Sequence, residues 1–148
     1  AAIGAAFGLK EAGDGAHVIS FSGDGGFVMN AQEMAVAKRY NLPVRFCIIN
    51  NAFLGMVRQW QELFHDNRFS HTDLADLNPD FVLLGSAYGI PGRRASTPAE
   101  AQAAIEWAFT VDGPSLIEFV VPKEEMVFPM VPAGASTGDM ITSRYRYD

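Results

Sequence analysis

Two side chains carry the first chemical signal: Asp24, within Gly23-Asp24-Gly25-Gly26, and Asn51, the second residue of Asn50-Asn51. Each follows a short, almost purely apolar run, His17-Val18-Ile19-Ser20-Phe21-Ser22 in one case and Val44-Arg45-Phe46-Cys47-Ile48-Ile49 in the other. Two β-branched runs with a helical stretch between them predict a strand–helix–strand unit with parallel strands. An Asp and an Asn at the carboxyl ends of neighbouring parallel strands point into the same crevice, where open α/β sheets bind ligands. A carboxylate oxygen and an amide oxygen suit a hard cation such as Mg²⁺, which keeps other positions for water and phosphate. The pair reads as a metal–diphosphate site.

The glycines sharpen this reading. Gly23, Gly25 and Gly26 would let backbone N–H groups approach phosphate oxygens, and the following helix start favours negative charge. Tight glycine turns are common, so the motif gains its weight from Asn51 at the next strand end. Gly13-Asp14-Gly15 is a second Gly-Asp-Gly, but it lies between a helix and a strand, at the amino end of the sheet. Turn chemistry is the expectation for Asp14. There is no Gly-x₄-Gly-Lys-Ser/Thr, so a P-loop is absent. The dinucleotide pattern fails too, because Val28 takes the third glycine position and the second strand closes on Asn50-Asn51 instead of an acid.

The elements that must position these residues are legible in the 148-residue chain. A helix ending at Gly13 precedes the first strand. Asn30 and Glu33 have capping-box spacing and predict a second helix through Tyr40, with Pro43 before the second strand. A helix from Leu54 to Phe64 carries Val57, Trp60 and Phe64 as one apolar stripe, and His65 to Leu77 reads as loop. Asn78-Pro79 supplies an N-cap and N1 proline for a helix to Tyr88, closed by Gly89. A short strand near Arg93, a helix started by Thr97-Pro98-Ala99-Glu100 and ending before Gly113-Pro114, and a strand over Leu116–Val121 complete the pattern. The predicted fold is α/β, doubly wound, with a mainly parallel sheet of about four strands and helices on both faces. Residues 1–148 are expected to form a single domain, with 122–148 an irregular tail rich in Pro, Gly and Met.

Composition limits the partners. Apolar residues make up 49% and charged residues 19%, which argues for a filled core. The net charge of −6 and a sparse basic set (Arg93-Arg94, with Arg144 and Arg146 near the end) speak against nucleic acid or an anionic membrane. An acidic domain that binds a polyphosphate needs a cation between them. Cys47, the one cysteine, lies in an apolar strand and reads as a buried small hydrophobe. His17, His65 and His71 lack metal-ligand spacing, and Glu33 and Glu62 read as helix-surface or cap residues. No uncharged apolar run approaches the roughly 18 residues of a membrane span, and the N-terminus lacks the basic region of a signal peptide. The chain opens without Met and inside a helical pattern, as expected of a piece of a longer protein.

Gly-Asp-Gly at 23–25, followed after residues 26–49 by Asn50-Asn51, resembles the cofactor motif of thiamine-diphosphate-dependent enzymes. More narrowly, Leu54-Gly55-Met56-Val57-Arg58-Gln59-Trp60-Gln61 resembles the large subunit of acetolactate (acetohydroxyacid) synthases. Phe69-Ser70-His71-Thr72, Asn78-Pro79-Asp80-Phe81 and Phe128-Pro129-Met130-Val131-Pro132-Ala133-Gly134-Ala135-Ser136 are similar to it as well, so the likeness covers essentially the whole chain.

The resemblance implies that Asp24 and Asn51 give side-chain oxygens to Mg²⁺ and that Phe53 gives its backbone carbonyl. Diphosphate oxygens and a water would complete the shell. Gly23, Gly25 and Gly26 would hold the diphosphate of thiamine diphosphate, and Leu54, Gly55 and Met56 would border the cofactor. Met56, Val57 and Trp60 look like the family's substrate-channel wall, although a core aromatic on an amphipathic helix is an open alternative for Trp60. Val28 departs from the polar Gln common in relatives. The implied reaction condenses pyruvate with pyruvate or 2-oxobutyrate, with loss of CO₂, in branched-chain amino-acid biosynthesis, the cofactor carrying the carbanion chemistry. The activating Glu and the FAD of this family belong to other domains, so no catalytic residue is assigned here and the isolated chain is expected to be inactive. The family also implies a homodimer or homotetramer through other domains, a possible regulatory small subunit, and a cytoplasmic location in bacteria or a plastid one in plants. Another thiamine-dependent carboligase or decarboxylase, or a module that only binds Mg²⁺ and phosphate, are the alternatives.

Overall fold

A computed structural model describes residues 1–143; Arg144, Arg146 and the end of the 122–148 tail lie outside the described residues. The first helix, α1 (Ala2–Glu11), stops as expected, with Gly13 at φ +70° where a side chain would be strained. Strand β1 (Val18–Gly23) runs directly into a short helix, α2 (Asp24–Val28). A 3₁₀ turn (Ala31–Glu33) and α3 (Met34–Arg39) lead to β2 (Val44–Asn50). Then come α4 (Gly55–Phe64), α5 (Phe81–Ala87), β3 (Gly92–Ala95), α6 (Pro98–Thr110) and β4 (Ser115–Val120).

The four strands form one parallel sheet in the order β1-β2-β4-β3. Alternation along β2 sends Val44, Phe46 and Ile48 into a core shared with Ala6, Phe27, Met34, Ala37 and Phe81, from α1, α2, α3 and α5. Cys47 points the other way, into a second cluster with Ala104 and Ala108 of α6 and Ile117. Helices therefore cover both faces, as the strand pattern predicts. Burial pushes the Cys47 thiol up to about 11, so it behaves as the small hydrophobe expected.

The caps divide into one success and two corrections. Thr97 and Glu100 form the reciprocal box at the start of α6: Thr97 Oγ1 accepts from Glu100 N, and Glu100 Oε2 accepts from Thr97 N. Asn30 and Glu33 do not. Glu33 N donates to the Asn30 carbonyl, closing a 3₁₀ turn through the backbone, so the side chain caps nothing. The single helix predicted over Asn30–Tyr40 is that turn followed by α3, and α2 precedes it. Nor is Asn78 the cap of α5. Asp80 takes that place, accepting from Leu83 N at 3.0 Å, because the Asn78 amide is engaged elsewhere.

Candidate functional site

Gly23 pairs with Ile49 in the parallel register, so Asp24 and Asn50-Asn51 leave adjacent strands at the same edge of the sheet. Asp14 is at the opposite end, where its Oδ1 accepts from Ala16 N in a turn. The polarity of the two Gly-Asp-Gly motifs is thus as the sequence indicates.

Asp24 is only 2% exposed. Its Oδ2 accepts from Asn78 Nδ2 at 2.7 Å, and none of the ion pairs among the described residues includes it. A buried carboxylate with an amide as its partner and no cation nearby is costly. A divalent ion would supply the missing positive charge, so the donor chemistry fits.

The second arm is built by two successive Asx turns. Asn50 Oδ1 accepts from Ala52 N at 2.9 Å, and Asn51 Oδ1 accepts from Phe53 N at 3.0 Å. Between them Ala52 is held at φ +58°, a left-handed conformation that an alanine adopts only under such constraint. The loop at 72–74 secures the turn from outside, with Leu54 N donating to Thr72 O and Leu74 N to Ala52 O. No backbone N–H among the described residues donates to the Phe53 carbonyl outside the regular elements.

The glycines differ in what they make room for. A Cβ on Gly25 would meet Leu74 and Leu54 at 3.0 and 3.1 Å, and one on Gly55 would meet Asn51 Nδ2 at 3.0 Å. These two serve close packing under the site. Gly23 and Gly26 face open space. There a Cβ would fill volume that an approaching anion could use.

Around this edge runs a polar network that the motifs do not reveal. Glu118, 3% exposed on β4, accepts from Asn50 Nδ2 at 2.7 Å and from Arg94 Nε at 2.7 Å. Arg94 also pairs with Asp80 at 3.1 Å. The two carboxylates raise the Arg94 pKa, while the Leu83 N–H and then Arg94 hold Asp80 below the usual carboxylate range. A charged residue inside Leu116-Ile117-Glu118-Phe119-Val120 was the available signal for Glu118. Of the basic pair, Arg94 is spent in this network and Arg93 lies over Trp107, with the guanidinium 4.5 Å from the ring centre.

Helix α4 is amphipathic, as expected, but its apolar stripe is turned largely outward: Met56 is 46% and Val57 49% exposed, whereas Arg58 and Gln59 are buried. Arg58 pairs with Glu62 at 2.8 Å and lies against the Phe53 and Phe69 rings. Glu62 is therefore a largely buried partner, not the surface or cap residue expected. Trp60 is half-buried, its ring 5.0 Å from that of Phe64. Val57 and Trp60 share an open depression of about 450 Å³ with Gln61, His65 and Arg68, and Met56 lies outside its lining.

Gln59 clamps the irregular tail to α4. Its amide accepts from Val127 N at 2.8 Å and donates to Val127 O at 3.0 Å and Met130 Sδ at 3.0 Å. Gln59→Ala orphans both Val127 groups, which is expected to lower local protection by about 1–3 kcal/mol. Hydrogen exchange at Val127–Met130 would rise while β2 and β4 stay protected; unchanged exchange would show that the tail is held by other contacts.

The arrangement has known counterparts. Residues 1–119 match the family described as thiamine pyrophosphate enzyme, C-terminal TPP binding domain. The chain is 43% identical over 137 residues to the acetolactate synthase isozyme 2 large subunit of Escherichia coli (strain K12), covering 93% of this chain and 25% of that protein. It is 39% identical over 143 residues to acetolactate synthase 1, chloroplastic, of Oryza sativa subsp. japonica, covering 93% of this chain and 22% of that protein. Benzoylformate decarboxylase from Polynucleobacter necessarius shares the fold, with a TM-score of 0.77 and 27% identity over 84% of this chain and 23% of its own. The chain spans about a quarter of the length of these curated relatives. With its parallel sheet and its acid and amide at adjacent strand ends, the chain belongs to the thiamine pyrophosphate enzymes as a C-terminal TPP-binding domain, and within that family it is similar to the large subunits of acetolactate synthases.

Proposed function

We propose that this chain is the Mg²⁺–diphosphate half of the active site of an acetolactate synthase large subunit, residues 1–148 acting as one domain of a longer enzyme. The observation that carries the reading is that Asp24 and Asn50-Asn51 leave adjacent parallel strands at one edge of the sheet, in a chain with 43% identity over 137 residues to an acetolactate synthase large subunit. Asp24, Asn51 and Phe53 would hold Mg²⁺ through oxygen atoms, as a hard cation prefers. Gly23, Gly25 and Gly26 would receive the diphosphate, and Leu54, Gly55 and Met56 would border the cofactor. When bound, thiamine diphosphate supplies the carbanion chemistry by which one 2-oxo acid loses CO₂ and condenses with a second.

Met56 and Val57, exposed on α4, and the half-buried Trp60 would form a wall that selects the second 2-oxo acid by its alkyl group. The substrates on this reading are pyruvate with pyruvate or 2-oxobutyrate, giving acetolactate or acetohydroxybutyrate for branched-chain amino-acid synthesis. The activating Glu and FAD belong to other domains, and homo-oligomers and a regulatory small subunit would form through surfaces beyond this chain. No helix among the described residues is long and apolar enough to cross a membrane. A bacterial source would place the enzyme in the cytoplasm and a plant source in the plastid.

The 27% identity to benzoylformate decarboxylase keeps a thiamine-dependent decarboxylase as the second reading. Product analysis of the full-length enzyme with pyruvate, with and without 2-oxobutyrate, decides between them. Acetolactate and acetohydroxybutyrate are expected; an aldehyde as the main product would replace the first reading with the second. The 148-residue chain given thiamine diphosphate, Mg²⁺, FAD and pyruvate is expected to form no acetolactate.

A further inference from the structure

Glu118 is a carboxylate in the middle of a buried parallel strand, between Ile117 and Phe119. An apolar residue there would avoid the desolvation cost of a buried charge, so packing alone does not account for it. Its two oxygens are both engaged, one with Asn50 and one with Arg94. A carboxylate can only accept, so Glu118 forces the Asn50 amide nitrogen toward itself and turns Asn50 Oδ1 the other way.

That oxygen serves two directions. Toward the chain it accepts from Ala52 N at 2.9 Å, the bond that holds the left-handed turn presenting Asn51 and Phe53. Toward α5 it lies 3.5 Å from Asn78 Nδ2, the same nitrogen that donates to Asp24 Oδ2 at 2.7 Å. The short bond from Asn78 holds Asp24 Oδ2 and leaves Oδ1 as the oxygen free of it, and the longer contact with Asn50 Oδ1 helps to set where the Asn78 amide lies. One amide, Asn50, thereby couples both arms of the site, and one acid orients that amide.

We propose that Glu118 is a positioning residue for the metal site, acting through Asn50 on the Asn51–Phe53 turn and, through Asn78, on Asp24. The proposal rests on the reading that these groups hold Mg²⁺ with thiamine diphosphate. It makes Glu118 distinct from the ligands, since it would touch neither metal nor cofactor. In Glu118→Gln the side chain brings an NH₂ group to one of two donors, either Asn50 Nδ2 or Arg94 Nε. Donor would then face donor, and the Asn50 amide loses its forced orientation.

The test is Mn²⁺ binding to the full-length enzyme in the presence of thiamine diphosphate, read from the electron paramagnetic resonance signal of free Mn²⁺. Glu118→Gln is expected to weaken Mn²⁺ binding by about 10- to 100-fold, the scale seen when partners that orient metal ligands are removed. Asn50→Ala is expected to do the same. The double variant should bind no more weakly than Asn50→Ala alone, because both act through one amide. A residue with a merely structural role would shift the urea midpoint without this non-additivity. Glu118→Leu, which suits the apolar strand, gives the same reading should Glu118→Gln fold poorly. Wild-type binding with Glu118→Gln and Glu118→Leu both within twofold of it would overturn the inference, as would losses that add fully with Asn50→Ala. Absence of thiamine-dependent Mn²⁺ binding in the wild type would instead overturn the metal-site reading on which the inference stands.

Discussion

Asp24→Ala is expected to abolish Mg²⁺-dependent binding of thiamine diphosphate, with a loss of affinity of about 100-fold or more. Removing a residue that only orients a ligand costs about 10- to 100-fold, and removing the anionic ligand itself costs more. A 100-fold loss corresponds to about 2.8 kcal/mol of binding free energy. Calorimetry with the cofactor, with and without Mg²⁺, reads it directly. Stability should move the other way. Asp24 is buried with an amide and no cationic partner among the described residues, so its removal relieves a poorly compensated charge. The urea midpoint of the cofactor-free variant is expected to hold or rise even as cofactor binding disappears. Sites that give up stability for function show this opposition. Strong binding indifferent to both Mg²⁺ and Asp24 would sink the metal bridge.

The second large effect lies at the other end of the sheet. Arg45→Ala is expected to destabilise the fold by roughly 3–5 kcal/mol, combining a large cavity with orphaned buried carbonyls. Arg45 is 1% exposed at the start of β2. Its guanidinium donates to the Gly113 carbonyl, to Val111 O at 2.9 Å and to His17 Nδ1 at 2.7 Å, and it faces the Phe109 ring. It ties the segments entering β1 and β4 to β2, so its loss loosens three parallel strands where they begin. Urea unfolding measures the change; a shift below about 1 kcal/mol would mean that water replaces the guanidinium at both carbonyls.

The same contact carries a pH dependence. Burial, then the Arg45 charge, lowers the His17 pKa from 6.5. Nδ1 can accept from Arg45 only while it carries no proton. The unfolded chain therefore takes up the proton first, and stability falls as pH drops through about 6.5. The slope is expected to shrink in Arg45→Ala.

Much of this was legible in the sequence because it is local. Strands β1, β2 and β4 show as apolar runs, α6 shows its capping box in four consecutive residues, and Gly13 marks the end of α1. The contrast between Asp24 and Asp14 was also readable, since the order strand-then-helix or helix-then-strand decides which end of a parallel sheet a turn occupies. Local rules misled where distant groups competed for a side chain. Asn78 has the residue type and the following proline of an N-cap, yet its amide is drawn to Asp24, 54 positions away, and Asp80 caps α5 instead. In α4, spacing revealed an apolar stripe but not its direction. Gln59 finds Val127, 68 positions on, to satisfy its amide, and Arg58 finds Glu62 and two rings. Once those polar groups are satisfied inside, the apolar face is the one left outside.

By itself, the sequence determined the α/β class, the parallel strand–helix–strand unit and the two oxygen-bearing residues at its carboxyl edge. Periodicity and turn chemistry act over a few residues, so the chain displays them directly. The tertiary structure alone decided how those oxygens are aimed. The bonds from Asn78 to Asp24 and from Asn50 to Glu118 close over 54 and 68 positions, and only the folded sheet brings such partners within hydrogen-bond reach.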